Sequence, residues 1–470
     1  MNGGDVRLKQ IIKNSLSFIE KPARYIYMSI PDYIRYGKTY RNQYKFLKES
    51  QWWTKKKHQE YQMIQINKLL NHAYKNVSYY TSIFNERGIK PNDIENFNDL
   101  KQLPYLTKEI IQERFEDLIA KNYDISKLKY VTTGGSTGMP MGFYIDPKSD
   151  KAREWAFISN LWHRVGHDVN KINRSVILRG IIPRNELYEY KGRDLILSSF
   201  KMTEKNMKQY IELIEDFNPD FIQAYPSSIH ILSKYILNNN IKIKIDRLKC
   251  LICSSENLYY NQRLDIQNAF QTRVYSFYGH TEHACIAGEC EQSDYFHLQS
   301  EYGFAEIINK SGKDTCVEDE VGEIVATGFN NYVMPFIRYK TGDMVVNTNK
   351  KCECGRNYKL IKKIEGRVQD YFVDENGEIV TFIYHDVPLW KVGDKINEYQ
   401  YEQNEIGEVI LKISTKKCFN DDDKKKIVKE FLKYYPRIKL NIELDGKIYR
   451  TTRGKFKFLV QNLDIKKFNK

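Results

Sequence analysis

Helix-like and strand-like patterns alternate through the middle of the chain, and this alternation restricts the possible folds more than any other feature. Helical periodicity occurs at 148–165, at 203–216 and at 227–238 with Ser227 as its N-cap, and apolar runs of strand length occur at 175–179, 221–225, 250–253 and 273–277. Strands separated by helices are typical of α/β layers around a parallel sheet. Ligands of such sheets bind beyond the carboxyl ends of the strands, where the polar turns of this sequence fall. We therefore predict an α/β fold with a ligand site at those turns.

A glycine-rich stretch without charged residues, VTTGGSTGMPMGF at 131–143, lies between two short apolar runs that we predict to be strands. Its glycines allow positive φ angles and a close approach of the backbone to a ligand. Hydroxyl and N–H groups here can surround phosphate oxygens. The candidate residues are Thr132, Thr133, Gly134, Gly135, Ser136, Thr137 and Gly138. The stretch is not a Walker A loop, because Met139 and Pro140 follow Gly138 where that motif needs Lys and then Ser or Thr. We predict a phosphate-binding loop, and a plain hairpin turn or linker is the alternative.

Length and composition indicate a soluble globular protein with more than one structural unit. The chain has 470 residues, of which 41% are hydrophobic and 29% are charged, and both fractions are ordinary for such proteins. No apolar run approaches the roughly 18 to 20 residues of a membrane-spanning helix. The first residues, Met1–Arg7, lack the basic and apolar segments of a secretory signal. We therefore predict a cytoplasmic protein.

The net charge is +14, and the basic excess is concentrated at the N-terminus, where residues 1–60 hold 13 Lys and Arg against 5 Asp and Glu. Two interpretations stay open for the basic, aromatic-rich stretch Tyr25–Tyr36: peripheral contact with a membrane surface, or packing against its own domain. No basic stretch carries a ribonucleoprotein strand signature or zinc-finger spacing. A nucleic-acid partner is therefore not predicted.

The pattern changes after Glu306 from alternating helices and strands to a series of short strands. Ile364–Arg367 is the predicted domain boundary, and beyond it strands flank a helix over 421–435, as in a compact α+β unit. We predict an N-terminal domain of residues 1–366, whose residues 1–75 form a helical and basic lead-in, and a C-terminal domain of residues 367–470.

Four motifs follow the glycine-rich loop, and each places a group suited to nucleotide chemistry on a turn. In Tyr278-Gly-His-Thr-Glu282 the tyrosine can stack on a base and the carboxylate can bind Mg²⁺. In Arg338-Tyr-Lys-Thr-Gly-Asp343 the carboxylate after a glycine turn can accept both hydroxyls of a ribose. Glu365-Gly-Arg367 with Asp370 lies at the predicted boundary, and Thr451-Thr-Arg-Gly-Lys-Phe456 places Lys455 on a glycine turn. Singly, each motif is also explained as a turn, a surface pair or a solvated charge.

In this order the motifs resemble those of the adenylate-forming (AMP-binding) enzyme superfamily, and within it the phenylacetate–CoA ligases and the CapK-type proteins of capsular polysaccharide biosynthesis. The resemblance covers nearly the whole chain and includes Asn76–Tyr80, Leu103–Lys108 and Glu398–Gln403. It implies a large N-terminal domain of layered sheets and helices with a small, mobile α+β C-terminal lid. The loop departs from the pattern, because Met139 or Met141 stands where many relatives have Lys. Strong triphosphate affinity is therefore less well supported than phosphate binding by the backbone.

The resemblance also implies roles for individual residues. The implied catalytic residues are Lys455 on the lid, Glu282 as the Mg²⁺ ligand, and Arg338 near the phosphate. The implied ATP-binding residues are Thr132 to Gly138 together with Tyr278, Gly279, Thr281, Asp343 and Arg367. Residues 365–370 would form the hinge of the lid.

The activity implied by the resemblance is ATP-dependent activation of a carboxylic acid. An acyl- or aminoacyl-adenylate would form with release of pyrophosphate, and the acyl group would pass to coenzyme A or to an amine, such as one on a sugar or amino acid in polysaccharide modification. The alternative from another class is a non-catalytic binding or scaffold protein of polysaccharide assembly. The presence of Glu282, Asp343 and Lys455 argues against that alternative.

Two close pairs of metal-binding residue types form a further candidate site. They are Cys290 with His297 and Cys352 with Cys354, and three thiolates with one imidazole match a tetrahedral structural Zn²⁺ site. Four protein ligands leave no open position, so a structural role is predicted. Cys285 is an alternative ligand, and four unrelated reduced side chains are the alternative to a metal site.

Overall fold

The structure is a computed structural model that describes residues 27–133, 141–147, 150–367, 371–381, 388–389, 392, 395–415, 419–450, 456–464 and 468. The chain divides into two compact units, each assembled from separate stretches. The first consists of Met1–Trp52, Pro147–Cys253 and Tyr260–Ser276, and the second consists of Trp53–Asp146, Ser254–Tyr259 and Phe277–Lys470. The domain boundary between residues 366 and 367 stays a prediction.

Helices, short 3₁₀ turns and strands make up the described part of the chain. The α-helices of the described residues are α1 (Asp32–Arg35), α2 (Gly37–Ser50), α3 (Lys55–Asn76), α4 (Ser78–Glu86), α5 (Lys108–Glu113), α6 (Asp150–His163), α7 (Glu204–Phe217), α8 (Pro226–Asn238), α9 (Tyr260–Phe270) and α10 (Asp421–Tyr434). Short 3₁₀ turns lie at Pro91–Asp93, Asp99–Gln102, Glu116–Leu118 and Ile125–Lys127. The strands are β1 (Lys129–Thr132), β2 (Gly142–Ile145), β3 (Ser175–Arg179), β4 (Tyr188–Lys191), β5 (Asp194–Ser198), β6 (Phe221–Ala224), β7 (Cys250–Cys253), β8 (Val274–Gly279), β9 (Ile286–Gly288), β10 (Phe296–Leu298), β11 (Gly303–Ile308), β12 (Val321–Gly328), β13 (Tyr339–Asn347), β14 (Leu360–Arg367), β15 (Tyr371–Val373), β16 (Ile379–Thr381), β17 (Ile396–Glu405), β18 (Glu408–Thr415), β19 (Lys439–Leu444) and β20 (Leu459–Gln461).

Parallel strands form the core of the first unit, as the alternating pattern predicts. Strands β5, β3, β6, β7 and the first half of β8 are neighbours in that order and run parallel, and β4 adds an antiparallel edge. All four residues of β7 are buried, which is typical of a parallel strand covered on both faces. The predicted parallel sheet is confirmed.

Threonine side chains cap the beginnings of three helices, whereas the predicted cap of a fourth helix is wrong. Thr54, Thr107 and Thr203 each accept a hydrogen bond from a backbone N–H in the first turn of α3, α5 and α7, as N-cap side chains do. The predicted cap Ser227 is wrong, because α8 begins at Pro226 and Tyr225 is its N-cap. Proline lacks an N–H and has a helical φ, so it suits the first position of a helix.

A buried carboxylate anchors the beginning of the described chain inside the first unit. Asp32 is fully buried, and it accepts hydrogen bonds from the guanidinium groups of Arg35 and Arg193, each at 2.7 Å. The indole N–H of Trp155 also donates to it at 3.2 Å. Packing within the unit thus accounts for Asp32 and its neighbours. Membrane contact through the N-terminus stays a prediction, and residues 1–26 lie outside the described residues.

The second unit contains the hairpin beside the glycine-rich loop and an antiparallel sheet. Strands β1 and β2 pair antiparallel from Lys129 opposite Ile145 to Thr132 opposite Gly142, so the two predicted strands are confirmed. The second half of β8 and strands β9, β10, β14, β13, β12 and β11 follow one another in an antiparallel sheet. Helix α3 contributes Ile66, Leu69, Leu70 and Ala73 to the core of this unit.

The C-terminal part of the second unit has a core of its own. Strands β19, β18, β17 and β20 form a sheet in that order, and α10 buries Ile427 and Phe431 among residues that include Phe372, Tyr401 and Leu411. The predicted α/β fold with an α+β C-terminal part is therefore confirmed. Within the described ranges, no helix is both long and apolar enough to cross a membrane.

Candidate active site

The carboxyl end of β8 and the first half of β13 bring two of the predicted nucleotide ligands into direct contact. The Tyr278 hydroxyl donates a hydrogen bond to Oδ2 of Asp343 at 2.7 Å, although 65 residues separate them in the chain. Burial, followed by the charge and hydrogen bond of Asp343, raises the pKa of Tyr278 well above its ordinary value. The tyrosine is therefore a neutral donor, and Asp343 is a fixed carboxylate beside an aromatic ring.

The carboxylate of Glu282 lies in the turn after β8 and is held from two sides. Tyr339, at the start of β13, donates its hydroxyl to Oε1 at 2.9 Å, and Nδ1 of His280 lies 3.2 Å from Oε2. The second ring nitrogen of His280 lies 3.6 Å from the sulfur of Cys285. Glu282 is 8% exposed, so these partners replace most of its contact with water.

The charge state of Glu282 follows from these contacts. Burial raises the pKa of Glu282, but the hydrogen bond and charge of His280 outweigh it and lower that pKa to about 2. Burial lowers the pKa of His280, whereas the hydrogen bonds and charges of Cys285 and Glu282 raise it well above its ordinary value. Glu282 is therefore ionised at neutral pH, which suits a ligand of a hard divalent cation.

The glycine-rich loop is described only at its two ends. The Thr133 N–H donates to the carbonyl of Met141 at 2.9 Å, and the Thr133 hydroxyl accepts from the Met141 N–H at 3.1 Å. Thr132 is exposed at the end of β1. The predicted ligands Gly134, Gly135, Ser136, Thr137 and Gly138 lie outside the described residues, as do Lys455 and the side chain of Arg367. Gly279 ends β8, and Thr281 lies half-buried in the turn between His280 and Glu282.

Arg338 forms a buried ion pair and a hydrogen bond that connect it to residues distant in the chain. Its guanidinium donates to both carboxylate oxygens of Glu306, at 3.0 and 2.8 Å, and to the Leu103 carbonyl at 2.7 Å. Both side chains of the ion pair are 4% exposed, so removal of either charge would leave the other buried and unpaired. The catalytic role of Arg338 near the phosphate stays a prediction.

Sequence reasoning missed the residues that hold the predicted ligands. His280 stands inside the Tyr278–Glu282 motif and Tyr339 stands inside the Arg338–Asp343 motif, so their positions were a signal. Their contacts were not predictable, because they join two turns that are distant in sequence. Nothing in the sequence near Glu306 marks it as the partner of Arg338.

The four predicted metal ligands come together in the second unit. The ligand atoms of Cys290, His297, Cys352 and Cys354 all lie within 4.8 Å of one another. The sulfurs of Cys290 and Cys352 are 3.4 Å apart, and the Cys354 sulfur lies 3.3 Å from Nε2 of His297. Four ligands at Zn–S distances of about 2.3 Å lie a little under 4 Å apart in a tetrahedron, so the donor set fits Zn²⁺. The alternative ligand Cys285 lies beside His280 instead.

Hydrogen bonds with backbone groups orient two of the candidate metal ligands, as is usual in structural metal sites. Nδ1 of His297 lies 3.0 Å from the Tyr295 carbonyl, which can only accept, so Nδ1 carries the proton and Nε2 faces the thiols. The Gln292 N–H donates to the Cys290 sulfur at 3.3 Å. A hydrogen bond from Cys290 lowers the pKa of Cys354 to about 7, and the same bond raises the pKa of Cys290. One thiolate is thus favoured even without a metal.

Comparison with known proteins bears on the resemblance. The family model described as the CapK C-terminal domain matches residues 372–462. Protein CapK of Staphylococcus aureus is 28% identical over 424 residues, which cover 86% of this chain and 89% of the relative. The phenylacetate-coenzyme A ligase of Escherichia coli (strain K12) is 25% identical over 327 residues, covering 67% of this chain and 72% of that enzyme. The chain is homologous to both.

This homology confirms the predicted resemblance and supports an adenylate-forming ligase. Among solved structures, 2-hydroxyisobutyryl-CoA ligase in the postadenylation state, in complex with 2-HIB-AMP, superimposes with a TM-score of 0.68. The superposition covers 90% of this chain and 94% of that one at 16% sequence identity. At this identity the likeness shows the fold, which is that of adenylate-forming CoA ligases.

Proposed function

We propose that the protein activates a carboxylic acid with ATP as an acyl- or aminoacyl-adenylate and then transfers the acyl group to coenzyme A or to an amine. One observation carries the proposal. The ionised Glu282 lies in the turn after β8 and is held there by His280 and Tyr339. Close to it in the chain, Tyr278 of β8 donates a hydrogen bond to Asp343 of β13. An ionised carboxylate, an aromatic ring and a second fixed carboxylate are the groups that a metal–nucleotide complex needs.

The proposed nucleotide contacts use these groups. Tyr278 would stack on adenine, and Asp343 would accept the ribose hydroxyls. The loop from Thr132 to Gly138 would donate to the phosphates through N–H and hydroxyl groups. Gly279, Thr281 and Arg367 complete the proposed nucleotide-binding set. Arg338 would lie near the phosphate.

Glu282 is the proposed ligand of Mg²⁺. The ion, when bound, offsets the negative charge of the phosphates. Glu282 suits this role because it is already ionised and because two hydrogen bonds fix its orientation, so little ordering is needed on binding.

The proposed first step joins the acid to the α-phosphate. A substrate carboxylate oxygen bonds to the α-phosphorus of ATP, the bond to the bridging oxygen breaks, and pyrophosphate leaves with that electron pair. Lys455 would stabilise the negative charge on the carboxylate and α-phosphate, because positioned cations contribute most where charge develops. In the second step the thiol or amine of the acceptor bonds to the acyl carbon and gives up a proton to solvent, the bond from that carbon to the phosphate oxygen breaks, and AMP leaves with the electron pair.

Two finer assignments belong to the same proposal. Cys290, His297, Cys352 and Cys354 would hold a structural Zn²⁺, which their spacing and donor types fit. The similarity to CapK, with the resemblance of the motifs, supports a place in capsular polysaccharide biosynthesis, where an amine acceptor would be used.

Pyrophosphate release by the purified protein against a panel of carboxylic acids tests the proposed function. Release is expected with one class of acid, with a requirement for Mg²⁺, and it should be lost in Lys455→Ala and Glu282→Gln. Lys447→Ala is the matched control, because Lys447 is an exposed lysine in the same part of the chain. ATP binding measured by calorimetry separates an untested acid from a protein that binds no nucleotide. Absence of both ATP binding and pyrophosphate release would refute the proposal and favour the scaffold alternative.

A further inference from the structure

A basic pocket lies in the second unit beside the beginning of β13. It has a volume of about 260 Å³, and its lining includes Arg87, Lys101, Tyr105, Gly312 and Arg338. Every charged residue of the lining is basic. Ligand pockets commonly measure about 300–1,000 Å³, so this one is large enough for a part of a ligand. Its charge indicates that this part is an anion.

Two of the three cationic side chains that line the pocket have no negatively charged partner among the described residues. Arg338 is neutralised by Glu306, which accepts two hydrogen bonds from it. Arg87 and Lys101 are exposed and form no ion pair within the described ranges, and the Lys101 ammonium donates to the neutral Asn98 at 3.1 Å. An anion in the pocket would therefore meet two uncompensated positive charges.

The wall of the pocket is held in place. The centroid of the Tyr105 ring lies 4.4 Å from the guanidinium carbon of Arg338 and 5.6 Å from the Lys340 ammonium nitrogen. Cation–π attraction to these two side chains therefore holds the ring in place. The next residue, Leu106, donates its N–H to the Arg338 carbonyl at 3.1 Å and accepts from the Lys340 N–H at 2.9 Å. Little rearrangement is needed for a ligand to bind against such a wall.

The pocket is connected to the candidate active site through two consecutive residues. Arg338 lines the pocket with a φ of 51°, a left-handed conformation that costs about 1–3 kcal/mol for a residue other than glycine. Tyr339 follows it and donates to Glu282. Strained residues concentrate at functional sites, where the surroundings hold them.

From these observations we propose that the pocket binds a phosphate monoester group of the acceptor substrate, a role that rests on the proposed function. Arg87 and Lys101 would pair with the phosphate oxygens, and Tyr105 would cover the attached sugar. Coenzyme A and phosphorylated sugars both carry this chemistry. None of the residues that line the pocket belongs to the loop of residues 132–138 that the ATP phosphates would use.

Calorimetry with two probes, both in the presence of saturating AMP to occupy the nucleotide site, tests the proposal. Adenosine 3′,5′-bisphosphate represents the nucleotide end of coenzyme A, and glucose 1-phosphate represents a phosphorylated sugar. The test variant is Arg87→Gln with Lys101→Gln. The control is Lys68→Gln with Lys121→Gln, which removes the same charge from two exposed lysines outside the pocket.

At least one probe is expected to bind the wild type, and its dissociation constant should rise roughly tenfold or more in the test variant, since charged hydrogen bonds are lost. The control should bind as the wild type does. The probe that binds identifies the source of the phosphate. The proposal is overturned if neither probe binds, if the test variant binds as tightly as the wild type, or if the control loses as much affinity.

Pyrophosphate release distinguishes this proposal from the proposed function. The Arg87→Gln, Lys101→Gln variant should release pyrophosphate at the wild-type rate, because neither residue belongs to the adenylation site. Absence of both ATP binding and pyrophosphate release in the wild type contradicts the proposed function, whereas loss of release only in the variant contradicts the separate pocket.

Discussion

Replacing Glu306 with glutamine tests the buried ion pair that fixes Arg338. The carboxylate accepts from Nε at 3.0 Å and from Nη2 at 2.8 Å, and both side chains are 4% exposed. Glutamine keeps the shape but removes the charge, so the guanidinium would be left buried with neutral partners. Removing one partner of a buried pair costs about 3–5 kcal/mol. We expect a loss of that size in the free energy of unfolding.

The loss converts into a change that thermal unfolding can measure. A domain of about 250 residues shifts its melting temperature by about 2 °C for each kcal/mol, so Glu306→Gln should melt about 6–10 °C below the wild type. Circular dichroism at one scan rate gives this difference. Asp319→Asn is the control, because it removes the charge of an exposed pair with Lys362. Exposed pairs contribute about 0–1 kcal/mol, and the control should shift by no more than about 2 °C.

A double variant separates the cost of the unpaired charge from the loss of packing. Glu306→Leu with Arg338→Met removes both charges, and apolar replacement of a whole buried pair is often neutral. The double variant should therefore melt above Glu306→Gln. The reasoning is refuted if Glu306→Gln melts within about 2 °C of the wild type, or if the double variant is no more stable than the single one.

Three further predictions concern other sites. Burial raises the pKa of Asp194 to about 6, so the stability it contributes is present below its ordinary pKa and is lost as pH rises through 6. That loss amounts to about 3 kcal/mol. Asp194→Asn should therefore melt above the wild type at pH 8, with the difference vanishing toward pH 4; an equal difference at both pH values would contradict this. Cys352→Ser should lower the zinc content, measured by mass spectrometry, from about one ion per chain. The control Cys316→Ser, at an exposed cysteine, should not lower it. Zinc retained in Cys352→Ser would exclude the proposed ligand set. Tyr339→Phe removes the hydroxyl that donates to Glu282 and should weaken Mg²⁺ activation of pyrophosphate release about tenfold. The control Tyr358→Phe removes the hydroxyl that donates to Glu301 and should leave Mg²⁺ activation unchanged. Equal Mg²⁺ dependence of the two tyrosine variants would argue against the role of Tyr339.

Local sequence determined much of the secondary structure. The strands 175–179 and 250–253 were predicted with the bounds that the structure has, and the helix predicted at 203–216 lies at Glu204–Phe217. Periodicity and capping depend on residues a few positions apart, so they can be interpreted without knowledge of the fold. Ser227 was misassigned because the proline before it decides where the helix begins.

The candidate site was predictable as a set of residues but not as an arrangement. The motifs identified Tyr278, Glu282 and Asp343, and the spacing of three cysteines and one histidine predicted the metal-type cluster that the structure brings together. The sequence did not indicate that Tyr278 bonds to Asp343, nor that His280 and Tyr339 hold Glu282.

Tertiary structure alone decided these contacts, as well as the pairing of Arg338 with Glu306 and the basic pocket beside it. Each joins residues from strands and turns that are distant in the chain, and their distances depend on strand order and register in the second unit. Strand order and register follow from the packing of a whole core, in which many weak contacts act together. The sequence by itself determined which chemical groups are present and on which turns they stand, whereas packing determined which of them meet.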